Sequence, residues 1–154
     1  LFPASKAVFG FKWPNDLLLN MKKYGGILVE SRNGRIIVGI GLNLMGFPPN
    51  TAYPATCLAA AGIAAKPADL LKTLVPKLDA ALIEGATAEG WDRIRKALGP
   101  KLAHAGGQIR VQGPREVVEG ICEGLAEDGA LMLRLKDGTQ RMIHSGEVFD
   151  ALGD

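Results

Sequence analysis

The sequence predicts an α+β fold in two parts, a sheet with helices over residues 1–100 and a small β-barrel over 101–154. Three observations predict it. Residues 7–45 are rich in β-branched, aromatic and glycine residues interrupted by turn signals. Residues 67–98 place apolar side chains three and four apart, the spacing of one helical face. Beyond residue 100, short apolar or alternating runs are separated by Gly-Pro and Asp-Gly pairs, the pattern of a small barrel.

A length of 154 residues suits one ordinary domain or a larger and a smaller one. With 47% hydrophobic and 22% charged residues the chain is expected to fold rather than stay disordered. Glycine, 20 of 154, is well above the usual share of about 7%, so tight turns and close backbone approaches are expected. No apolar run approaches the roughly 18 residues of a membrane span. The opening Leu1-Phe2-Pro3-Ala4-Ser5 has neither an initiator Met nor a secretory pattern, and the chain is expected to begin partway through a gene product.

The elements follow in order. Ala7 to Trp13 is β-branched and aromatic, and Pro14-Asn15-Asp16 punctuates it, so a strand ends there. Leu17-Leu18-Leu19 reads as a second strand, Asn20 to Tyr24 as a polar turn, and Gly26 to Ser31 as a third strand. Arg32-Asn33-Gly34-Arg35 holds Asn-Gly, the strongest short hairpin signal. Ile36 to Leu44 is the return strand, where Gly39 and Gly41 predict a close approach to the backbone. After a Pro-rich loop at 46–54, Leu70, Leu71, Leu74, Val75, Leu78 and Leu82 mark a helix face. Pro67 suits its first turn, and Pro76 predicts a kink or break. Trp91, Ile94 and Leu98 mark a second helix, ending near Gly99-Pro100. Barrel strands are expected at 108–112, 117–125, 130–135 and 140–144.

Charge differs along the chain. Residues 1–99 carry 12 basic and 7 acidic side chains, and residues 100–154 carry 6 and 9. Residues 1–45 hold six basic against two acidic, which suits an anionic ligand such as a nucleotide. The acidic barrel argues against nucleic-acid binding, which needs a basic face. Cys57, Cys122, His104 and His144 match no zinc spacing, so no protein-held metal is expected and the cysteines read as thiols in a reducing compartment.

Three segments within 1–45 combine residue types that carry chemistry. Lys12-Trp13-Pro14-Asn15-Asp16 brings a cation, an amide and a carboxylate to one strand end, although Asn and Asp after Pro also serve as plain turn residues. Lys23-Tyr24-Gly25-Gly26-Ile27-Leu28-Val29-Glu30 sets a Lys before two glycines, where a ligand can lie against bare backbone or a simple hairpin corner can form. Gly39-Ile40-Gly41-Leu42-Asn43 opens one face of a strand and ends in an amide. It lacks the third glycine and following helix of a dinucleotide fingerprint.

In this order and spacing the segments resemble the biotin–protein ligases (biotin–[acetyl-CoA-carboxylase] ligases). That family's pattern reads Lys-Trp-Pro-Asn-Asp, Lys-x-x-Gly-Ile-Leu-x-Glu and Gly-x-Gly-x-Asn. Glu119-Gly120, Asp128-Gly129-Ala130-Leu131 and Ser145-Gly146-Glu147-Val148 resemble its SH3-like C-terminal domain. The resemblance implies a partial mixed/antiparallel sheet with helices, the C-terminal portion of a class II synthetase-like catalytic domain, over 1–100. The SH3-like barrel would occupy 101–154. A Gly/Arg-rich loop that family members carry upstream has no counterpart in these residues, so the isolated chain is expected to be an incomplete enzyme.

The implied reaction is ATP-dependent formation of biotinyl-5′-AMP, then transfer of biotin to a lysine of a carboxylase carrier domain. By resemblance, Lys23 would lie between the biotin carboxylate and the α-phosphate, and Lys12 would help with ATP phosphate. Asp16 would orient or deprotonate the carrier lysine, or assist magnesium, with Asn15 supporting the same corner. Gly25 and Gly26 would let biotin lie along the backbone, with Trp13 contacting biotin or packing beneath it. Gly39, Gly41 and Asn43 would border the adenosine. ATP, Mg2+ and biotin are thus the expected small molecules, and the cytoplasm the expected location. A homodimer through an open sheet edge is expected, with no DNA-binding domain and no membrane contact. A non-catalytic module that docks the carrier or a partner is the alternative.

Overall fold

Four strands and a hairpin-by-hairpin path form the first sheet of the protein, described by a computed structural model over residues 7–150. The opening segment Leu1–Ser5 and residues 151–154 of the expected barrel lie outside the described residues. Strands β1 (Phe9–Lys12), β2 (Asp16–Leu19), β3 (Lys22–Arg32) and β4 (Arg35–Leu42) lie side by side in chain order. The Asn33-Gly34 turn has positive φ at both residues, as its sequence predicts.

The β2–β3 connection is shorter than expected. Asn20 and Met21 both take positive φ, 50° and 59°, so two residues complete the hairpin. β3 therefore starts at Lys22 rather than Gly26, and Lys23 and Tyr24 are strand residues. Asn tolerates the left-handed region, which lets the turn close without glycine at its first position.

Leu19, Leu58 and Ile63 form a buried cluster, with Tyr24, Leu44 and Leu70 packed against it. The far half of the β3–β4 hairpin leaves Leu28, Val29, Ile36 and Ile37 exposed.

Helix α1 runs unbroken from Pro67 to Gly85 with Pro76 inside it, where the sequence predicts a kink or break. Proline there removes one N–H from the ladder, the one that would meet the Lys72 carbonyl. Lys72 is exposed, so water can take that carbonyl at small cost. Helix α2 (Ala88–Leu98) begins at Thr87, whose hydroxyl accepts the Gly90 N–H at 3.1 Å.

A five-stranded antiparallel sheet follows, β5 (Gln108–Gln112), β6 (Val117–Leu125), β7 (Leu131–Arg134), β8 (Gln140–Ile143) and β9 (Glu147–Asp150). Their spatial order is β8-β7-β6-β5-β9. Alternation in β5 and β6 buries Ile109, Val111, Val118 and Cys122. Burial raises the Cys122 thiol pKa above its ordinary value. Four of these strands sit where the pattern predicts. β9 carries one buried side chain, Val148, so its four residues show too little alternation to be recognised. It is a strand because Val148 pairs opposite Val111 of β5.

The chain divides into two compact units. The first takes the residues up to Phe11 together with Asn15–Lys77, and the second takes Lys12–Pro14 together with the residues from Leu78.

Candidate active site

In the first unit, three strands place Asp16, Gly26 and Gly41 directly opposite one another. Opposed residues of antiparallel strands share a face. The same face carries Gly39, opposite Leu28 two positions further along β3. The result is a strip of bare backbone with the Asp16 carboxylate at its end.

Strict alternation from Gly26 would put Lys23 on the other face. A bulge prevents this. Leu17 pairs with Gly25 and Leu18 with Lys23, so Tyr24 is an extra residue in β3. Bulges re-aim side chains, and here the Lys23 ammonium meets Asp16 Oδ1 in an ion pair. The Lys23 side chain is 42% exposed and that of Asp16 is 11% exposed.

The glycines differ in what they permit. A Cβ on Gly26 would stand 3.5 Å from the Asn15 carbonyl, 3.8 Å from Lys23 Cε and 3.9 Å from Asp16 Oδ1. These are ordinary van der Waals contacts, so a methyl there would sit over the ion pair without a clash. A Cβ on Gly41 meets nothing within 4 Å, so that side is open. Gly25 is structural: a Cβ there would lie 2.5 Å from the Gly41 carbonyl.

Asn15 is exposed, and its carbonyl accepts the Ile27 N–H at 2.9 Å. Asn43 is partly buried and donates Nδ2 to the Thr56 carbonyl at 3.0 Å. Its own N–H donates to the Tyr24 carbonyl at 2.7 Å. Tyr24 meets Phe9 edge-on, and burial raises its phenol pKa.

Segment 54–56, at the end of the Pro-rich loop and just beyond it, is also part of the site. Lys23 N–H donates to the Pro54 carbonyl at 2.8 Å, and Thr56 N–H to the Lys23 carbonyl at 2.9 Å. These bonds brace the strand residue that bears the ammonium. No local signal announces this, because Pro54-Ala55-Thr56 has no periodicity of its own.

Of the expected site residues, Asp16, Lys23, Gly25, Gly26, Gly39, Gly41, Asn15 and Asn43 fall in the first unit. Lys12 and Trp13 belong to the second. Lys12 is buried, and its Nζ donates to the Val148 carbonyl at 3.3 Å. Trp13 is buried, and its indole N–H donates to the Gly129 carbonyl at 3.2 Å. Among the described residues no group of three His, Cys, Asp or Glu is placed to hold a metal ion. No helix among them is long and apolar enough to cross a membrane.

Residues 4–45 match the Biotin/lipoate A/B protein ligase family, and residues 104–149 match the Biotin protein ligase C terminal domain. The chain is 35% identical over 158 residues to a biotin–[acetyl-CoA-carboxylase] ligase of Paracoccus denitrificans, covering 96% of this chain and 64% of that protein. It is 29% identical over 151 residues to the same-named enzyme of Mycobacterium tuberculosis, covering 96% and 55%. The chain thus spans rather more than half the length of these relatives. Among solved structures, the biotin protein ligase from Aquifex aeolicus in complex with biotin and ATP superposes with TM-score 0.79 at 25% identity, over 92% of this chain and 61% of that one. The apo structure of the Aquifex aeolicus protein superposes with TM-score 0.82 at 23% identity, over 93% and 66%, a likeness of fold.

Proposed function

The chain belongs to the biotin protein ligase family, and on that premise we propose that it is the C-terminal part of an ATP-dependent biotin–protein ligase. Residues 1–100 then form the C-terminal portion of the catalytic domain and 101–154 the SH3-like domain. The observation that carries the reading is the Lys23–Asp16 pair at the end of the strip made by Gly26, Gly41 and Gly39.

The chemistry follows from those groups. The biotin carboxylate attacks the α-phosphorus of ATP, the bond to pyrophosphate breaks, and biotinyl-5′-AMP forms. Two anions meet in this step, and a cation between them offsets their repulsion. The half-exposed Lys23 ammonium is the group for that role. Glycine at 26 leaves β3 backbone bare for biotin, Gly25 keeps β4 close behind it, and Gly39, Gly41 and Asn43 border the adenosine. In the second step a carrier lysine amine attacks the anhydride carbonyl, an amide forms and AMP leaves. The amine must lose a proton, and the Asp16 carboxylate is the acceptor, with Asn15 beside it in sequence. Magnesium arrives on the nucleotide as part of the substrate.

The protein partner is the carrier domain of a biotin-dependent carboxylase. β4 is an edge of the first sheet and bears exposed Ile36 and Ile37, which supports homodimerisation along that edge. Two free cysteines suit the reducing cytoplasm.

The test is biotin- and ATP-dependent labelling of a purified carrier domain by the full-length protein, read with release of pyrophosphate. Labelling is expected with the full-length protein and is expected to be weak with residues 1–154 alone. Carrier binding without any pyrophosphate release by the full-length protein would instead identify a docking module.

A further inference from the structure

Asn43 stands just past the end of β4 and donates from both of its nitrogens. Its main-chain N–H donates to the Tyr24 carbonyl at 2.7 Å, and its side-chain Nδ2 to the Thr56 carbonyl at 3.0 Å. Only a donor can meet a carbonyl at that distance, so the amide is oriented with its nitrogen on Thr56. The Asn43 carbonyl in turn accepts the Leu58 N–H at 2.9 Å. Its two acceptors flank Lys23: Tyr24 follows Lys23 in β3, and Thr56 N–H donates to the Lys23 carbonyl at 2.9 Å. These bonds close a ring from Asn43 through Thr56, Lys23 and Tyr24 back to Asn43. The whole ring belongs to the first unit, as does Asp16.

Each part of the ring bears on the direction of Lys23. Tyr24 is the extra residue in the pairing of β2 with β3, and without it alternation would carry Lys23 to the opposite face. Asn43 holds the carbonyl of that extra residue. Segment 54–56 runs parallel to β3 as a strap, with Ala55 bridged to Lys23. Before it, the Tyr53 phenol donates to the Met21 carbonyl at 3.2 Å, and after it Cys57 and Leu58 are buried. Between these moorings Pro54 has no N–H to offer, and Ala55 has only a methyl. The Asn43 amide adds a tie at Thr56 itself, where the strap meets Lys23.

The Lys23 side chain is 42% exposed, so packing confines it weakly and its aim depends on the backbone that carries it. Small displacements of a reacting group cost large factors in rate.

We propose that Asn43 is a positioning residue for Lys23. Its side-chain amide holds Thr56 against β3, and this keeps the Tyr24 bulge that turns the Lys23 ammonium onto the face of Asp16, Gly26 and Gly41. The kinetic consequences rest on the ligase reading, and the geometric ones do not. This role is separate from bordering the adenosine, and the two give different kinetics.

Two variants of the full-length protein test it. Asn43→Leu keeps the bulk and removes the donor. Replacing Thr56 by its α-hydroxy analogue turns the N–H that meets Lys23 into an ester oxygen and leaves Asn43 intact. Each change is expected to lower kcat for biotinyl-5′-AMP formation, the step assigned to Lys23, by about three- to tenfold, the range of one lost hydrogen bond. In the ester variant ATP KM should stay within about twofold, because the change touches no group assigned to substrate. The double variant should lose little more than either single one, because both act through one strap. The Lys23 ammonium resonance should shift in both variants in the free protein, whereas a role confined to stability would leave it in place. The ester decides where Asn43→Leu does not fold. Losses that multiply in the double variant would overturn the proposal. So would Asn43→Leu with raised ATP KM and unchanged kcat, which leaves Asn43 to the adenosine alone. A Lys23 resonance unmoved in both variants would overturn it whatever the rates. Should the wild type itself release no pyrophosphate, the ligase reading falls, and the resonance alone then decides the positioning role.

Discussion

The Lys23 ammonium on β3 is paired with the Asp16 carboxylate on β2, and the cation is the more exposed partner, 42% against 11%. That asymmetry matters for reactivity. An incoming anion can reach Lys23 from solvent while Asp16 is retained behind it. Because the Lys23 end of the pair is open to water, its worth to stability is small, and a substitution of Lys23 should report on chemistry rather than on folding.

Lys23→Ala in the full-length protein should therefore lower biotin-dependent pyrophosphate release by at least about a hundredfold, the scale of losing one preorganised group that stabilises developing charge. The circular dichroism spectrum should be unchanged. Pyrophosphate release at the wild-type rate would remove Lys23 from the mechanism.

Asp16→Asn separates the two steps. Transfer of preformed biotinyl-5′-AMP to the carrier should slow by about a hundredfold or more, the range of general-base catalysis. Adenylate formation should be affected less. Equal losses in both single-turnover measurements would argue against a proton-accepting role.

Gly25 and Gly41 should give opposite results. Gly25→Ala would force a Cβ to 2.5 Å from the Gly41 carbonyl, and overpacking of this kind costs about 1–3 kcal/mol. Chemical denaturation should show it. Gly41→Ala meets nothing within 4 Å, so its denaturation midpoint should hold while its ATP KM rises. A normal KM in that variant would take the adenosine away from this strip.

Thr87→Ala removes the hydroxyl that accepts the Gly90 N–H and should destabilise the second unit by about 1 kcal/mol. Leu133, fully buried, should cost about 2–5 kcal/mol as Leu133→Ala. Urea unfolding followed by tryptophan fluorescence measures both, since Trp91 lies in this unit.

Asp137 gives a pH prediction. Its side chain accepts from the Thr139 hydroxyl at 2.6 Å and from the Thr139 N–H at 2.9 Å, and these bonds lower its pKa below the ordinary 3.8. The unfolded chain binds the proton more readily, so this contribution is complete above pH 3.8 and is lost as pH falls through the folded pKa. Asp137→Asn should flatten the acid limb of urea midpoint against pH. An acid limb as steep as the wild type's would show that the turn does not depend on this charge.

Much of this protein is written locally. Residue alternation determined β5 and β6, Asn33-Gly34 determined a hairpin, and three- and four-residue spacing determined the helices. The three ordered segments from Lys12 to Asn43 determined the family. Only the tertiary structure decided that Lys23 faces Asp16, because the bulge at Tyr24 arises from how β2 pairs with β3 and not from either strand alone. It also decided that segment 54–56 braces Lys23 and that the Trp13 indole reaches Gly129, 116 positions away. Periodicity and turn chemistry are properties of neighbouring residues. Register, bulges and distant hydrogen bonds exist only once separate segments meet.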